Sequence, residues 1–203
     1  MRTRAFVVMA EEPTAGEVKT RFVPEKTGKA SERLYICFIR DIFELTGAMI
    51  NPDYYISYYK ENADEVMSKT VTDSLKLRPG KGINTGKRFR DIFAELFKGN
   101  YREVIIMDSG IPQLPMGYID KAFELLEEND VVIGPSLDGD YQVIGLSTFR
   151  EDIFEGIAWN QGIILEEMLE RIEDANLRVA VLPQWDEANT ISGWYRVLKE
   201  LKR

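Results

Sequence analysis

Strand and helix signals alternate along this chain, and that alternation limits the fold more than any single motif. Residues 4–10 form a continuous apolar run, as expected of a strand covered on both faces. Residues 30–45 carry the helical stripe Leu34, Cys37, Phe38, Ile42 and Leu45. Residues 54–59 alternate like a strand, and 62–69 read as a short helix. Over residues 85–97, Phe89, Ile92, Phe93, Leu96 and Phe97 share one helical face. A buried strand at 104–107 closes on Asp108, and Ile119, Ala122, Phe123 and Leu126 mark the next helix. Strands follow at 131–133 and 142–146, separated by the turn Asp138-Gly139-Asp140. Ile164, Leu165, Met168, Leu169 and Ile172 make a helix, 179–182 a strand, and 191–201 a terminal helix. Repetition of this kind predicts a mostly parallel sheet with helices on both faces. The consecutive strands at 131 and 142 break the alternation and make the sheet mixed. No repeat, low-complexity tract or linker interrupts the chain. One domain over residues 1–203 is therefore expected, with a core large enough to stand without staples.

Two absences narrow the chemistry. The chain has no histidine, which excludes Ser-His-Asp triads, Cys-His pairs and His-ligated zinc or haem. Its one cysteine, Cys37, allows no internal disulfide or CxxC pair, and its place on the stripe reads as a buried small hydrophobe. Catalysis must then use carboxylates, Lys, Arg, hydroxyls or a metal held by oxygen, for which Mg2+ or Mn2+ is suited. A formal charge of −8 argues against nucleic acid as a partner and is itself sufficient for solubility. Against that background, residues 76–90 form an acid-free loop region with Lys76, Arg78, Lys81, Lys87, Arg88 and Arg90, a local patch able to receive a small anion. No apolar run approaches the ~20 residues that cross a bilayer. The N-terminus reads as a buried strand and not as a signal peptide, so a soluble, cytoplasmic protein is expected.

In sheets of this class ligands sit beyond the carboxyl ends of the strands. Three segments fall there: residues 10–21, Asp108-Ser109-Gly110-Ile111-Pro112, and residues 134–140. In the first, Gly16 lets backbone N–H groups approach an anion, and Lys19 and Arg21 add charge; the alternative is an ordinary surface loop. In the third, Asp138 and Asp140 offer two carboxylates to a divalent cation, and the alternative is a simple hairpin turn. Asp108, at the end of a buried strand, is poised at the cleft and favours the metal reading.

The run Ala10-Glu11-Glu12-Pro13-Thr14-Ala15-Gly16-Glu17-Val18-Lys19-Thr20-Arg21-Phe22 resembles the opening A-x-x-P-x-x-G-x-V-K-T-R-L of a prokaryotic family of glycosyltransferase-like, or nucleotide-diphospho-sugar transferase-like, proteins. Gly86-Lys87-Arg88-Phe89 is similar to its G-x-R-M segment, and residues 132–141 to its V-x-G-P-x-x-D-G-G-Y. Pro24, Gly28, Ala30, Leu34, Asp41, Ile144-Gly145-Leu146 and Trp159 agree in order and spacing. The resemblance covers nearly the whole chain. It implies a GT-A fold, shared with molybdopterin and phospholactate guanylyltransferases, in which a Gly-Lys-Arg loop holds the nucleotide and acidic residues hold a metal. Carried onto this chain, it implies nucleotide contacts from Ala10, Pro13, Gly16, Lys19, Arg21, Gly86 and Arg88. Asp138, Asp140 and Asp108 become the metal set, with Asp138 and Asp108 catalytic, and Gly80-Lys81-Gly82 with Arg88 form the other wall.

Departures from the family pattern gather at the acidic end. Gly110 stands where the usual metal-binding Asp would be, Glu11 or Glu12 where a basic residue is expected, and Asn84 in place of an Asp. The late D-x-D reads Asp186-Glu187-Ala188. Asp108 precedes the vacant position by two residues, on the same strand face and ~6.6 Å back along it. Asp140 replaces a glycine and makes an Asp-x-Asp pair. The metal site has therefore either moved or decayed. The expected function is a nucleotide-dependent transferase using a nucleotide sugar and a divalent metal on an unidentified small-molecule acceptor. The alternatives are nucleotidyl transfer to a phosphorylated acceptor and a non-catalytic binding protein.

Overall fold

A strand whose side chains are apolar on both faces must lie inside a sheet that is itself covered on both faces. The computed structural model places Ala5 through Ala10 in that position, all buried. It describes residues 3–17, 27–46, 52–59, 76–79, 85–111, 114–115, 117–137, 139–157, 159, 164–185 and 191–201. In chain order the elements are β1 (Arg4–Glu11), α1 (Gly28–Thr46), β2 (Pro52–Tyr59), β3 (Lys76–Pro79), α2 (Thr85–Lys98), β4 (Glu103–Asp108), α3 (Tyr118–Leu126), β5 (Val131–Pro135), β6 (Tyr141–Leu146), a 3-10 turn (Asp152–Phe154), α4 (Ile164–Asp174), β7 (Val179–Val181) and α5 (Ile191–Leu201).

The seven strands form one sheet in the order β3-β2-β1-β4-β6-β5-β7. β6 is antiparallel to both of its neighbours, and the other pairings are parallel. The mixed α/β architecture expected from the alternation is therefore what the chain adopts. On one face Ala5, Val7 and Met9 pack with Phe89, Phe93 and Leu96 of α2 and Ile164, Met168 and Ile172 of α4. On the other, Phe6 and Val8 pack with Ile42 of α1 and Ile119, Phe123 and Leu126 of α3. Phe38 of α1 also meets Trp194 of α5, with ring centroids 5.1 Å apart. At the amino end of the parallel strands, Glu103 is fully buried and accepts a hydrogen bond from Arg4 Nε at 2.7 Å. Arg4 also reaches Glu127 at 2.9 Å and lies over the Phe123 ring at 5.1 Å.

Three expectations need correction or restriction. Cys37 is exposed. The buried face of α1 is Ser31, Tyr35, Phe38, Ile39 and Ile42, and this i, i+4, i+7, i+8, i+11 pattern leaves Cys37 on the flank. The basic segment 76–90 is not a loop throughout. Residues 76–79 form edge strand β3, and 85–90 open α2. With Lys76, Arg78 and Pro79 in four residues, β3 lacks an apolar pattern, and such composition suits an edge. The helix expected at 62–69 lies outside the described residues.

Candidate functional site

The register of the sheet brings the expected segments to one edge. Met9 of β1 pairs with Asp108, the last residue of β4, and β1 continues past it to Glu11, so both parallel strands point their carboxyl ends to the same edge. β6 runs the opposite way, so its first residue, Tyr141, returns to that edge beside the end of β5. Asp108, Asp140 and the loop after β1 therefore share the carboxyl edge of the sheet, where α/β sheets bind ligands. Asp138 lies outside the described residues, as do Lys19 and Arg21.

Each described segment has a local reason for its shape. After β1, Pro13 is buried and Glu17 N donates to Thr14 O at 3.1 Å, closing a turn. Gly16 occupies its third position with φ +83°, the left-handed value a type II turn requires. The start of α1 lies against this turn. A Cβ on Gly28 would meet Gly16 N at 2.7 Å, so glycine at 28 permits the close approach. Thr27 caps the helix, its Oγ1 accepting from Ala30 N at 3.2 Å.

β4 ends at Asp108, and the chain turns at Ser109 and Gly110. Gly110 N donates to Asp108 Oδ1 at 2.7 Å, which folds the carboxylate over its own turn. The expected spacing of ~6.6 Å along one strand face does not apply, because residue 110 is no longer in the strand. A lock that the sequence reading missed holds this turn. Tyr35 Oη of α1 accepts from Glu11 N at 2.7 Å and hydrogen-bonds Ser109 Oγ at 2.7 Å. Ser109 N in turn donates to Met9 O at 3.1 Å. One buried phenol thus ties the ends of β1 and β4 together. Burial pushes the Tyr35 phenol well above its usual range, and the charges of Asp108 and Glu11 push in the same direction. The available signal was a tyrosine in phase with the buried face of α1.

The turn between β5 and β6 is a hairpin connection that also carries an acidic residue. Ser136 N donates to Asp140 O at 2.9 Å, and Tyr141 N donates to Asp140 Oδ1 at 2.8 Å. The segment after β7 braces it. Leu137 N donates to Trp185 O at 3.2 Å, and Gln184 Nε2 donates to Ser136 O at 2.6 Å. Tyr141 is buried, with its ring against Phe89 at 5.6 Å and Trp159 at 6.4 Å. Burial raises its phenol well above the ordinary value, with Asp140 and then Asp108 as further causes. Both carboxylates therefore act electrostatically on this one ring.

Gly86 and Arg88 lie in the first turn of α2. Gly86 is covered by Trp159, whose Cε2 would be 2.1 Å from a Cβ there, so the absent side chain is required by packing. Arg88 is half-buried, and its Nη2 donates to Thr85 Oγ1 at 3.4 Å. Ala10 is buried in the core beside Tyr35. Among the described residues, no three acidic or cysteine side chains come together as a metal cluster. The described donors are Asp108 and Asp140, both carboxylates and both oriented by backbone N–H groups. That chemistry fits a hard divalent cation.

Solved structures of similar fold include proteins named for nucleotide chemistry. A candidate nucleotide-diphospho-sugar transferase from Desulfovibrio desulfuricans G20 is 26% identical, with a TM-score of 0.91 over 100% of this chain and 96% of that one. A 4-diphosphocytidyl-2C-methyl-D-erythritol synthase from Anaerococcus prevotii DSM 20548 gives 0.64 at 11% identity, over 100% and 97% of the two chains. Rv0371c from Mycobacterium tuberculosis H37Rv, crystallised in complex with manganese, gives 0.58 at 13% identity over 98% of each. The last two establish a shared fold alone. No curated protein matches the sequence. No helix among the described residues is long and apolar enough to cross a membrane. The profile of a bacterial family matches residues 44–161, more than half of the chain, and the protein belongs to that family, described as "uncharacterized protein conserved in bacteria (DUF2064)".

Proposed function

We propose that this protein is a nucleotide-dependent transferase whose donor is a nucleotide sugar, built as one nucleotide-binding domain over residues 1–203. The observation that carries the reading is the full-length likeness to the Desulfovibrio protein, combined with two carboxylates and a glycine turn on one sheet edge. The nucleotide lies over the loop after β1, with Lys19 and Arg21 on its phosphates and Ala10, Pro13, Gly16, Gly86 and Arg88 around it. Asp108, Asp138 and Asp140 would hold a divalent cation, which when bound would supply positive charge beside the diphosphate. An acceptor hydroxyl oxygen bonds to the anomeric carbon as the bond from that carbon to the diphosphate oxygen breaks, and nucleoside diphosphate leaves. The hydroxyl proton passes to Asp138 or Asp108. The protein supplies positioning and fixed charge more than covalent chemistry.

A second reading is nucleotidyl transfer to a phosphorylated acceptor, favoured by the cytidylyltransferase-like members of the same fold. Product analysis separates the two. Sugar transfer releases a nucleoside diphosphate from a nucleotide sugar, whereas nucleotidyl transfer releases pyrophosphate from CTP or GTP. Gly110, in place of the family's acidic residue, favours a third reading in which the fold binds without catalysis. Release of neither product, with nucleotide binding retained, would select that one.

A further inference from the structure

β5 and β6 pair through a bulge. Val143 lies opposite Gly134, but the next residue of β5, Pro135, lies opposite Tyr141 and not Gln142. The extra residue turns Tyr141 over, so that Val143 packs on the α3 side of the sheet and Tyr141 on the α2 side. Bulges of this kind re-aim side chains and are common beside active sites. On the α2 side the Tyr141 ring meets Phe89 and Trp159. Asp108 belongs to that side too, because it follows Ile106 by two residues along β4 and Ile106 packs there. α2 leads through residues 99–102 into β4 at the amino edge, so its first turn opens at the carboxyl edge beside Tyr141. That turn contains no acidic residue, and its N–H groups form the positive end of a 14-residue helix.

Tyr141 is 7% exposed, and its Oη has no hydrogen-bond partner among the described residues. A buried hydroxyl left in that state destabilises the fold, and native proteins keep few of them. The nearby carboxylates do not accept its proton. Asp108 Oδ1 takes the N–H of Gly110, and Asp140 Oδ1 takes the backbone N–H of Tyr141 itself. Burial, and after it Asp140 and Asp108, keep the phenol protonated and able to donate at neutral pH. An oxygen-rich anion suits the space between a helix N-terminus and an edge that can hold a cation, and a diphosphate is such an anion. We infer that the Tyr141 hydroxyl donates a hydrogen bond to a diphosphate oxygen of the bound nucleotide. The contact rests on the transferase reading and adds a binding residue to that site. Because the oxygen is out of reach of solvent, the ligand must move one of the rings beside it. Trp159 has room to yield, since it is only partly buried and borders a cavity of about 290 Å³.

Titration calorimetry of the wild type and Tyr141→Phe tests the contact, with UDP, GDP, CDP and ADP and with UDP-glucose and GDP-mannose, each in the presence of manganese. At least one nucleoside diphosphate should bind the wild type, and the variant should bind it at least about tenfold more weakly. The melting temperature of the ligand-free variant should be no lower than that of the wild type, because the deleted oxygen bonds nothing in that state. A tyrosine that serves only the fold would give the reverse, a lower melting temperature with unchanged affinity. Equal affinity in the two proteins would overturn the inference and leave the transferase reading intact, and so would a variant that melts earlier or fails to fold. Weakening of a nucleotide sugar but not of its nucleoside diphosphate would move the contact to the sugar and overturn the assignment. Absence of nucleoside diphosphate binding in the wild type would overturn it as well, and absence of nucleotide-sugar binding besides would remove the transferase reading with it.

Discussion

Replacing Tyr35 by phenylalanine removes one oxygen and keeps the ring, so its effect isolates the lock at the end of β1 and β4. Two partners lose their bond: Glu11 N, which is partly exposed, and Ser109 Oγ, in a residue that is 4% exposed. A buried polar group left without a partner costs about 1–3 kcal/mol, and water can reach only the Glu11 side, so a loss of about 2 kcal/mol is expected. For a chain of this length each kcal/mol lowers the melting temperature by about 2–4 °C, giving a fall of about 4–8 °C. The phenol is held far above its usual range, so it stays neutral, and the difference from wild type should be flat between about pH 6 and 9. Differential scanning calorimetry of both proteins across that range provides the measurement. A melting temperature unchanged within about 1 °C, or a difference that varies with pH, would refute the lock.

The remaining predictions concern other parts of the fold. Gly86→Ala places a Cβ 2.1 Å from Trp159 Cε2, so the ring must move; a loss of about 1–3 kcal/mol and a red-shifted tryptophan emission are expected. Arg4→Ala removes one charged hydrogen bond from fully buried Glu103, and urea unfolding should register a loss of about 1.5–3 kcal/mol. Burial holds the phenols of Tyr35, Tyr118 and Tyr141 above their unfolded value of about 10. Above that pH the unfolded chain releases these protons and the folded one keeps them. The contribution of these phenols should therefore be constant below about pH 10 and fall above it by about 1.4 kcal/mol per pH unit for each tyrosine, read from denaturant midpoints.

The sequence was most legible where burial imposes a period. The apolar run of β1, the stripes of α2 and α3, and the paired strands β5 and β6 were all visible as patterns, and their order specified a mixed sheet. The edge strand β3 was not, because four residues of Lys-Leu-Arg-Pro at a border carry no hydrophobic signature. The phase of α1 was misread at Cys37 because the stripe was drawn through an apolar residue, although Tyr35 and Ser31 set the buried face. At the site, strand order was enough to place Asp108 and Asp140 on one edge. The Tyr35–Ser109 lock joins residues 74 positions apart and depends on how α1 docks, which no local pattern encodes. The turn that takes residue 110 out of the strand was equally invisible, because strand spacing was extended past the last strand residue.

Thermal unfolding with a panel of nucleotides and nucleotide sugars, with and without manganese, tests the central claim most directly. A ligand at a hundred times its Kd should stabilise the protein by about 2.7 kcal/mol, or about 5–11 °C for a chain of this length. The account predicts such a shift for at least one nucleotide sugar, enlarged by manganese, and a reduction of the manganese effect in Asp140→Gly. A protein whose melting temperature no nucleotide or nucleotide sugar moves, with or without manganese, would contradict it.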